Sequence, residues 1–273
     1  MTAESTKLKP FDLESYGVNI RISSSDEGLL DWGVSTARKA LINDIRLVDD
    51  VIKFSSTFVL SYDTDNKIQI EQDGEVVGLD AVRSNLDKYF NMLVRVAVAE
   101  NAVDRLFIHA GAICWKGKGI VFPGTSFIGK STLVAELVKL GAEYYSDDYA
   151  IFDTEGMLYP FPRMLSMRAD DAKYTAYELT PESLGTVGTR PVEVGAVCFT
   201  EYKKEALWRP QEMTSGQGAL EMVPYTFSFV NRPEFSLSVL NKIADRAIIV
   251  GSQRGSADNF AKTFLNFVDK EAD

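Results

Sequence analysis

The octapeptide Gly124-Thr125-Ser126-Phe127-Ile128-Gly129-Lys130-Ser131 constrains this chain more than any other stretch, because it meets G-x-x-x-x-G-K-[ST] at every fixed position. The apolar run Ile120 to Pro123 leads into it. Ser131 to Leu140 follows with good helix formers, Leu133, Leu137 and Leu140 on one side and Gly141 as a stop. Strand, glycine loop and helix in that order demand an α/β core. Glycines let the backbone curl so that successive N–H groups converge on phosphate oxygens, and the helix N-terminus adds partial positive charge. In such a loop Lys130 reaches the β and γ phosphates and Ser131 offers a hydroxyl to Mg²⁺. Thr132 completes the candidate nucleotide-binding set. Phe127 and Ile128 are bulkier than the small residues common at those positions.

Charge and composition narrow the partners. The formal net charge is −10, which disfavours a surface built to collect nucleic-acid backbones. The N-terminal ten residues lack the apolar run of a signal peptide, and no stretch approaches the roughly 20 apolar residues that span a bilayer. The expectation is a soluble, cytoplasmic protein without nucleic-acid or membrane partners. Cys114 and Cys198 are the only cysteines, too few for a disulfide framework or a thiolate zinc site, and both read as small core residues. His109 is the only histidine, so sites needing two imidazoles are excluded.

Residues 1 to about 100 carry β-rich patterning, with strands expected over Val51 to Tyr62 and Lys67 to Glu71 around a polar turn at Asp63 to Asn66. Asp80 to Arg105 shows helical spacing, with Leu86, Tyr89, Phe90, Leu93, Val94 and Ala97 on one face. From Leu106 the pattern becomes a hairpin, LFIHAGAICW and IVFPG about a Lys-Gly-Lys-Gly turn. After the loop helix, AEYYSDDYAIFD reads as a core strand bearing Asp147 and Asp148. Glu193 to Thr200 and Arg246 to Val250 read as later strands, and Ala257 to Val268 as an amphipathic helix.

Polar groups inside an apolar strand need a reason. Phosphoryl transfer to a hydroxyl needs a carboxylate near the attacking oxygen, and Mg²⁺ needs an anionic partner, so Asp147 and Asp148 could divide these roles. Side chains alternate along a strand, so both face a nucleotide only if the strand ends or twists between them.

The string HAGAICWKGKGIVFPGTSFIGKSTLVAELVKLGAEYYSDDYAIFD resembles the C-terminal domain of bacterial HPr kinase/phosphorylase, and more closely its shorter related proteins. The resemblance spans about Leu106 to Met167. It implies that His109, Lys130 and Asp148 belong to an active site, with Asp148 taking the proton of the substrate hydroxyl and Ser131 meeting Mg²⁺. The family's Leu-Glu-Ile-Arg-like segment, whose glutamate helps hold Mg²⁺, corresponds here to Leu165-Ser166-Met167-Arg168, with serine in place of the carboxylate; Asp147 is then the substitute ligand. The family's C-terminal signature for HPr recognition and phosphorolysis is absent, so the protein is not expected to be a true HPr kinase. Arg163, Arg168, Arg246 and Arg254 are phosphate or substrate candidates by their chemistry, with surface ion pairing the default for each.

The expectation is therefore an α/β chain: a smaller β-rich N-terminal lobe with a linking helix over 1–100, and an HPr-kinase/PEP-carboxykinase-like nucleotide-binding domain with a sheet core and flanking helices over 101–273. It is read as an ATP- and Mg²⁺-dependent kinase acting on a hydroxyl of a protein, peptide or small molecule. The alternative is a nucleotide-binding regulatory or scaffold protein with little transfer. HPr kinases form hexamers, but that state does not carry over to so diverged a chain, and the sequence leaves a homo-oligomer open.

Overall fold

The computed structural model describes residues 9–42, 44–49, 51–126, 128–168 and 176–272. It is a mixed α/β chain that divides between Asp104 and Arg105 into two compact units.

Among the described residues, the first unit is one six-stranded sheet with two helices. In chain order it runs β1 (Phe11–Ser15), β2 (Val18–Ser24), α1 (Glu27–Ala40), β3 (Arg46–Leu47), β4 (Ser56–Tyr62), β5 (Ile68–Gln72), β6 (Glu75–Asp80) and α2 (Arg83–Asn101), with strand order β3-β1-β2-β4-β5-β6. Val18, Ile20 and Ile22 alternate inward on β2, as a half-buried strand requires, and Phe58 and Leu60 of β4 and Ile68 and Ile70 of β5 are buried likewise. Phe90 of α2 packs on Trp32 of α1 at 5.4 Å and edge-on to Phe58 at 5.3 Å between ring centroids. The reading of this segment as merely β-rich missed α1, whose N-cap Asp26 accepts from Leu29 N. The strand expected from Val51 begins at Ser56, and Ile52 is fully exposed. On α2, Leu86, Phe90, Val94 and Ala97 are buried as expected, whereas Tyr89 and Leu93 are only partly so.

The second unit runs β7 (Arg105–Trp115), β8 (Lys118–Pro123), α3 (Lys130–Lys139), β9 (Glu143–Ser146), β10 (Tyr149–Asp153), β11 (Met157–Tyr159), β12 (Leu165–Arg168), β13 (Ala176–Leu179), α4 (Pro181–Leu184), β14 (Val192–Tyr202), β15 (Gln211–Glu212), α5 (Ser215–Met222), α6 (Pro233–Ala244), β16 (Ile248–Arg254) and α7 (Ala257–Ala272). Its main sheet has the order β11-β10-β7-β8-β14-β16-β15, with β9 also on β7 and β11 also on β14, while β12 and β13 form a separate ladder. Leu106, Ile108, Ala110 and Ala112 of β7 face α5 and α6; Ile120 and Phe122 of β8 face α3 and α7. Helices thus cover both faces of the sheet, the arrangement that parallel strands need. Cys114 and Cys198 are buried core residues. No helix among the described residues is long and apolar enough to cross a membrane.

Two local details position the loop. The hairpin turn is tighter than the four residues expected: Lys116 and Gly117 both have positive φ, +49° and +82°, the two-residue geometry that matches strand twist. At the far end of α3, Gly141 N donates to Val138 O and Ala142 N to Leu137 O, closing the helix as the glycine predicts, although Leu140 lies exposed rather than on the buried stripe.

Candidate functional site

The strands β8, β14 and β16 run parallel, so their carboxyl ends share one edge of the sheet, where open α/β sheets take ligands. At that edge β8 passes into the glycine loop. Gly124 N donates to His109 O at 3.1 Å, tying the start of the loop to β7. Gly129 closes it at φ +89°, a left-handed conformation that glycine alone adopts without strain, and caps α3. The first N–H groups of α3 then point out of the helix with no partner within it.

Lys130 folds back over the loop, its Nζ donating to Gly124 O at 2.8 Å and Thr125 O at 2.7 Å. It is buried, and desolvation pushes its ammonium down to about 8 against the opposing pull of Asp148 and Asp147. Thr125, Ser126 and Thr132 are exposed, and Ile128 is half-buried with its carbonyl turned to Arg254. Phe127 lies outside the described residues.

The strand expected to carry both aspartates is interrupted. Ser146 pairs with Ala112 and Tyr144 with Ile113, so Tyr145 is the extra residue of a bulge, and Asp147 and Asp148 form a bend before β10 resumes on β7. The interruption lets the two carboxylates take different surroundings. Asp147 turns inward, accepting from Ser131 Oγ at 2.9 Å and lying 3.2 Å from the Tyr144 hydroxyl. Burial first, and then the charge of Asp148, pushes its carboxyl up to about 6. Asp148 stays half-buried at the mouth, its Oδ1 3.7 Å from His109 Nε2 and its Oδ2 3.8 Å from Arg163 Nη1. The His109 ring stacks with Phe227 at 6.3 Å, which fixes its plane.

Of the arginine candidates, two come to the site. Arg163 faces Asp148, and its carbonyl accepts from the Tyr144 hydroxyl at 2.9 Å. Arg254 is buried under the loop, with Nη2 donating to Gly129 O at 3.0 Å. Arg246 instead reaches Glu155 O and Glu193 on the surface, and the side chain of Arg168 lies outside the described residues. Ser166 is exposed on β12, opposite Glu178 of β13. Tyr144 and Phe227 were not read as site residues. Tyr144 stands three positions before Asp147 and was visible in principle, whereas Phe227 arrives from a distant turn that no local pattern marks.

No protein-family model matches the chain, and no curated protein does. Among solved structures it is similar to the Hpr(Ser) kinase/phosphatase from Coxiella burnetii, at 13% sequence identity and a TM-score of 0.30, over 61% of this chain and 95% of that one. At that TM-score the likeness decides neither fold nor activity, so the functional reading stands on the residues and their arrangement.

Proposed function

We propose that this chain is an ATP-dependent, Mg²⁺-requiring phosphotransferase that moves the γ-phosphoryl group to a hydroxyl. One observation carries the reading: a buried lysine folded over a glycine loop at a helix N-terminus, with two carboxylates of unlike environment beside it. Lys130 costs stability as a buried cation: it donates to two carbonyls, the pull of Asp148 and Asp147 does not offset its burial, and a polyphosphate would add counter-charge at closer range. The loop N–H groups would hold phosphate oxygens, as in other glycine-rich loops.

Ser131 and Asp147 fit Mg²⁺: both offer hard oxygen donors, already 2.9 Å apart, and a buried carboxylate gains from a cation. Bound there, Mg²⁺ would neutralise charge on the phosphates, with phosphate oxygens and water completing its shell. Asp148 is the general base. It takes the proton of the acceptor hydroxyl as that oxygen bonds phosphorus and the bridge to the β-phosphate breaks. Arg163 and His109 hold its carboxylate in place, and both could meet charge on the transferring group.

All these groups fall in the second unit. The first unit then serves acceptor choice, the acceptor being a protein, peptide or small molecule. The test is thermal unfolding of the full chain with saturating ATP and Mg²⁺, since a ligand of the native state raises its stability by mass action. A rise that Lys130→Ala abolishes supports the site. Equal rises in both proteins would place ATP elsewhere.

A further inference from the structure

A second concavity lies at the same edge of the sheet. It is an open groove of about 720 Å³ formed by the segment after β14 and the start of α7, with Tyr202, Leu207, Trp208, Asn259, Phe260 and Thr263 among its walls. Its size falls in the range of small-molecule sites. Tyr202 and Leu207 are largely exposed there. Trp208 lies edge-on to Phe260 at 5.6 Å, and its indole N–H is buried without a hydrogen-bond partner among the described residues. Aromatic faces rimmed by an amide and a hydroxyl suit a flat heterocycle with polar edges better than an aliphatic chain.

One residue joins this groove to the glycine loop. Tyr202 and Arg254 are register partners at the ends of β14 and β16. The Arg254 guanidinium donates to Gly129 O at 3.0 Å on one side and to Gly255 O, in the groove wall, at 3.2 Å on the other. Its Cζ lies 5.9 Å from the ring centroids of both Tyr202 and Phe260. The last glycine of the loop is thus separated from the aromatic wall by a single side chain.

We infer that this groove holds the nucleoside, base and ribose, of the nucleotide whose phosphates occupy the loop. The inference rests on the phosphate-binding reading of Gly124 to Ser131 and adds to it the part that distinguishes a nucleotide from bare polyphosphate. Tyr202 provides the stacking face. Asn259 and Thr263 meet the polar edges of the base or sugar.

The experiment titrates the full chain, with Mg²⁺ present, against ATP and against inorganic tripolyphosphate by calorimetry. Wild type should bind ATP about tenfold more tightly than tripolyphosphate, within the span of base–aromatic stacking. Thr263→Trp narrows the groove from the α7 wall, and Tyr202→Ala removes the stacking face. Both should bring ATP down to the affinity of tripolyphosphate while leaving tripolyphosphate within about twofold. An ATP preference that survives both substitutions, or no preference in wild type, overturns the groove assignment. In either case Lys130-dependent tripolyphosphate binding leaves the loop reading standing. If wild type binds neither ligand, the loop reading falls and the groove assignment with it.

Discussion

The Ser131 hydroxyl donates to Asp147 Oδ2 at 2.9 Å, so the second residue of α3 is tied to a carboxylate with almost no exposure to solvent. That carboxyl is held at about 6, above its ordinary 3.8, by burial and by Asp148. The folded chain therefore binds this proton more tightly than the unfolded chain. Its stabilising contribution is complete below about pH 4 and is lost as pH rises through about 6. Asp147→Asn removes the titration and keeps an oxygen acceptor. Without Mg²⁺, wild type should lose up to about 3 kcal/mol of stability relative to Asp147→Asn between pH 4 and pH 7. Urea midpoints across that window measure it, and parallel curves for the two proteins would refute it.

Lys130 gives the opposite protonation problem. Its ammonium is held down to about 8 in the free protein, and a bound polyphosphate needs it charged. Above pH 8 each binding event should take up a proton, and affinity for tripolyphosphate should fall toward tenfold per pH unit. Calorimetry in two buffers of different ionisation enthalpy reads the proton directly. Lys130→Ala should bind weakly with no such slope, and a wild-type affinity independent of pH from 7.5 to 9.5 would contradict the burial of this amine.

Gly129 and Arg254 form a third testable pair. Gly129 has φ +89°, and a Cβ there would stand 2.7 Å from Arg254 Nη2. Gly129→Ala should cost about 1–3 kcal/mol, part from the backbone and part from displacing the guanidinium. In a Gly129→Ala/Arg254→Ala double variant only the backbone part remains, so the pair should lose less than the sum of its single losses. Additivity within about 0.5 kcal/mol would mean that the two do not touch.

What could be read from the sequence was local. The hairpin from Leu106, the glycine loop, α3 with its Gly141 stop, β14 and α7 each carry their period and their turn residues in one short window. Helix α1 was invisible because Gly28 and Gly33 dilute its periodicity, and Gly33 is there for packing: a Cβ would meet Leu60 Cδ1 at 2.5 Å. Val51 to Ser55 has strand-like residues, but among the described residues its backbone pairs only through Ser55 N on Asn19 O. At the site, the octapeptide and the Asp pair were legible as chemistry. Their surroundings were not: Arg163 comes from beyond β11 and Arg254 from the end of β16, and nothing in one sequence distinguishes them from Arg246, which makes surface contacts.

The decisive prediction concerns Asp148, because it separates an enzyme from a nucleotide-binding module. Its carboxylate is half-buried at the mouth of the site, 3.7 Å from His109 Nε2 and 3.8 Å from Arg163 Nη1, while Lys130 and Arg254 donate to the carbonyls of the loop and Ser131 donates to Asp147. Asp148→Asn keeps the size and removes both charge and basicity. ATP affinity should change little, since no proposed phosphate contact is lost. Transfer to the acceptor should fall by about 10²–10⁴-fold, the usual contribution of a general base. The acceptor is first found by incubating labelled ATP and wild-type protein with lysate fractions or metabolite pools. Equal transfer by Asp148→Asn would remove the base assignment. Tight ATP binding with no labelled product in any fraction would instead favour a regulatory nucleotide-binding protein, in which Asp148 serves to hold Arg163 and His109 around the bound phosphates.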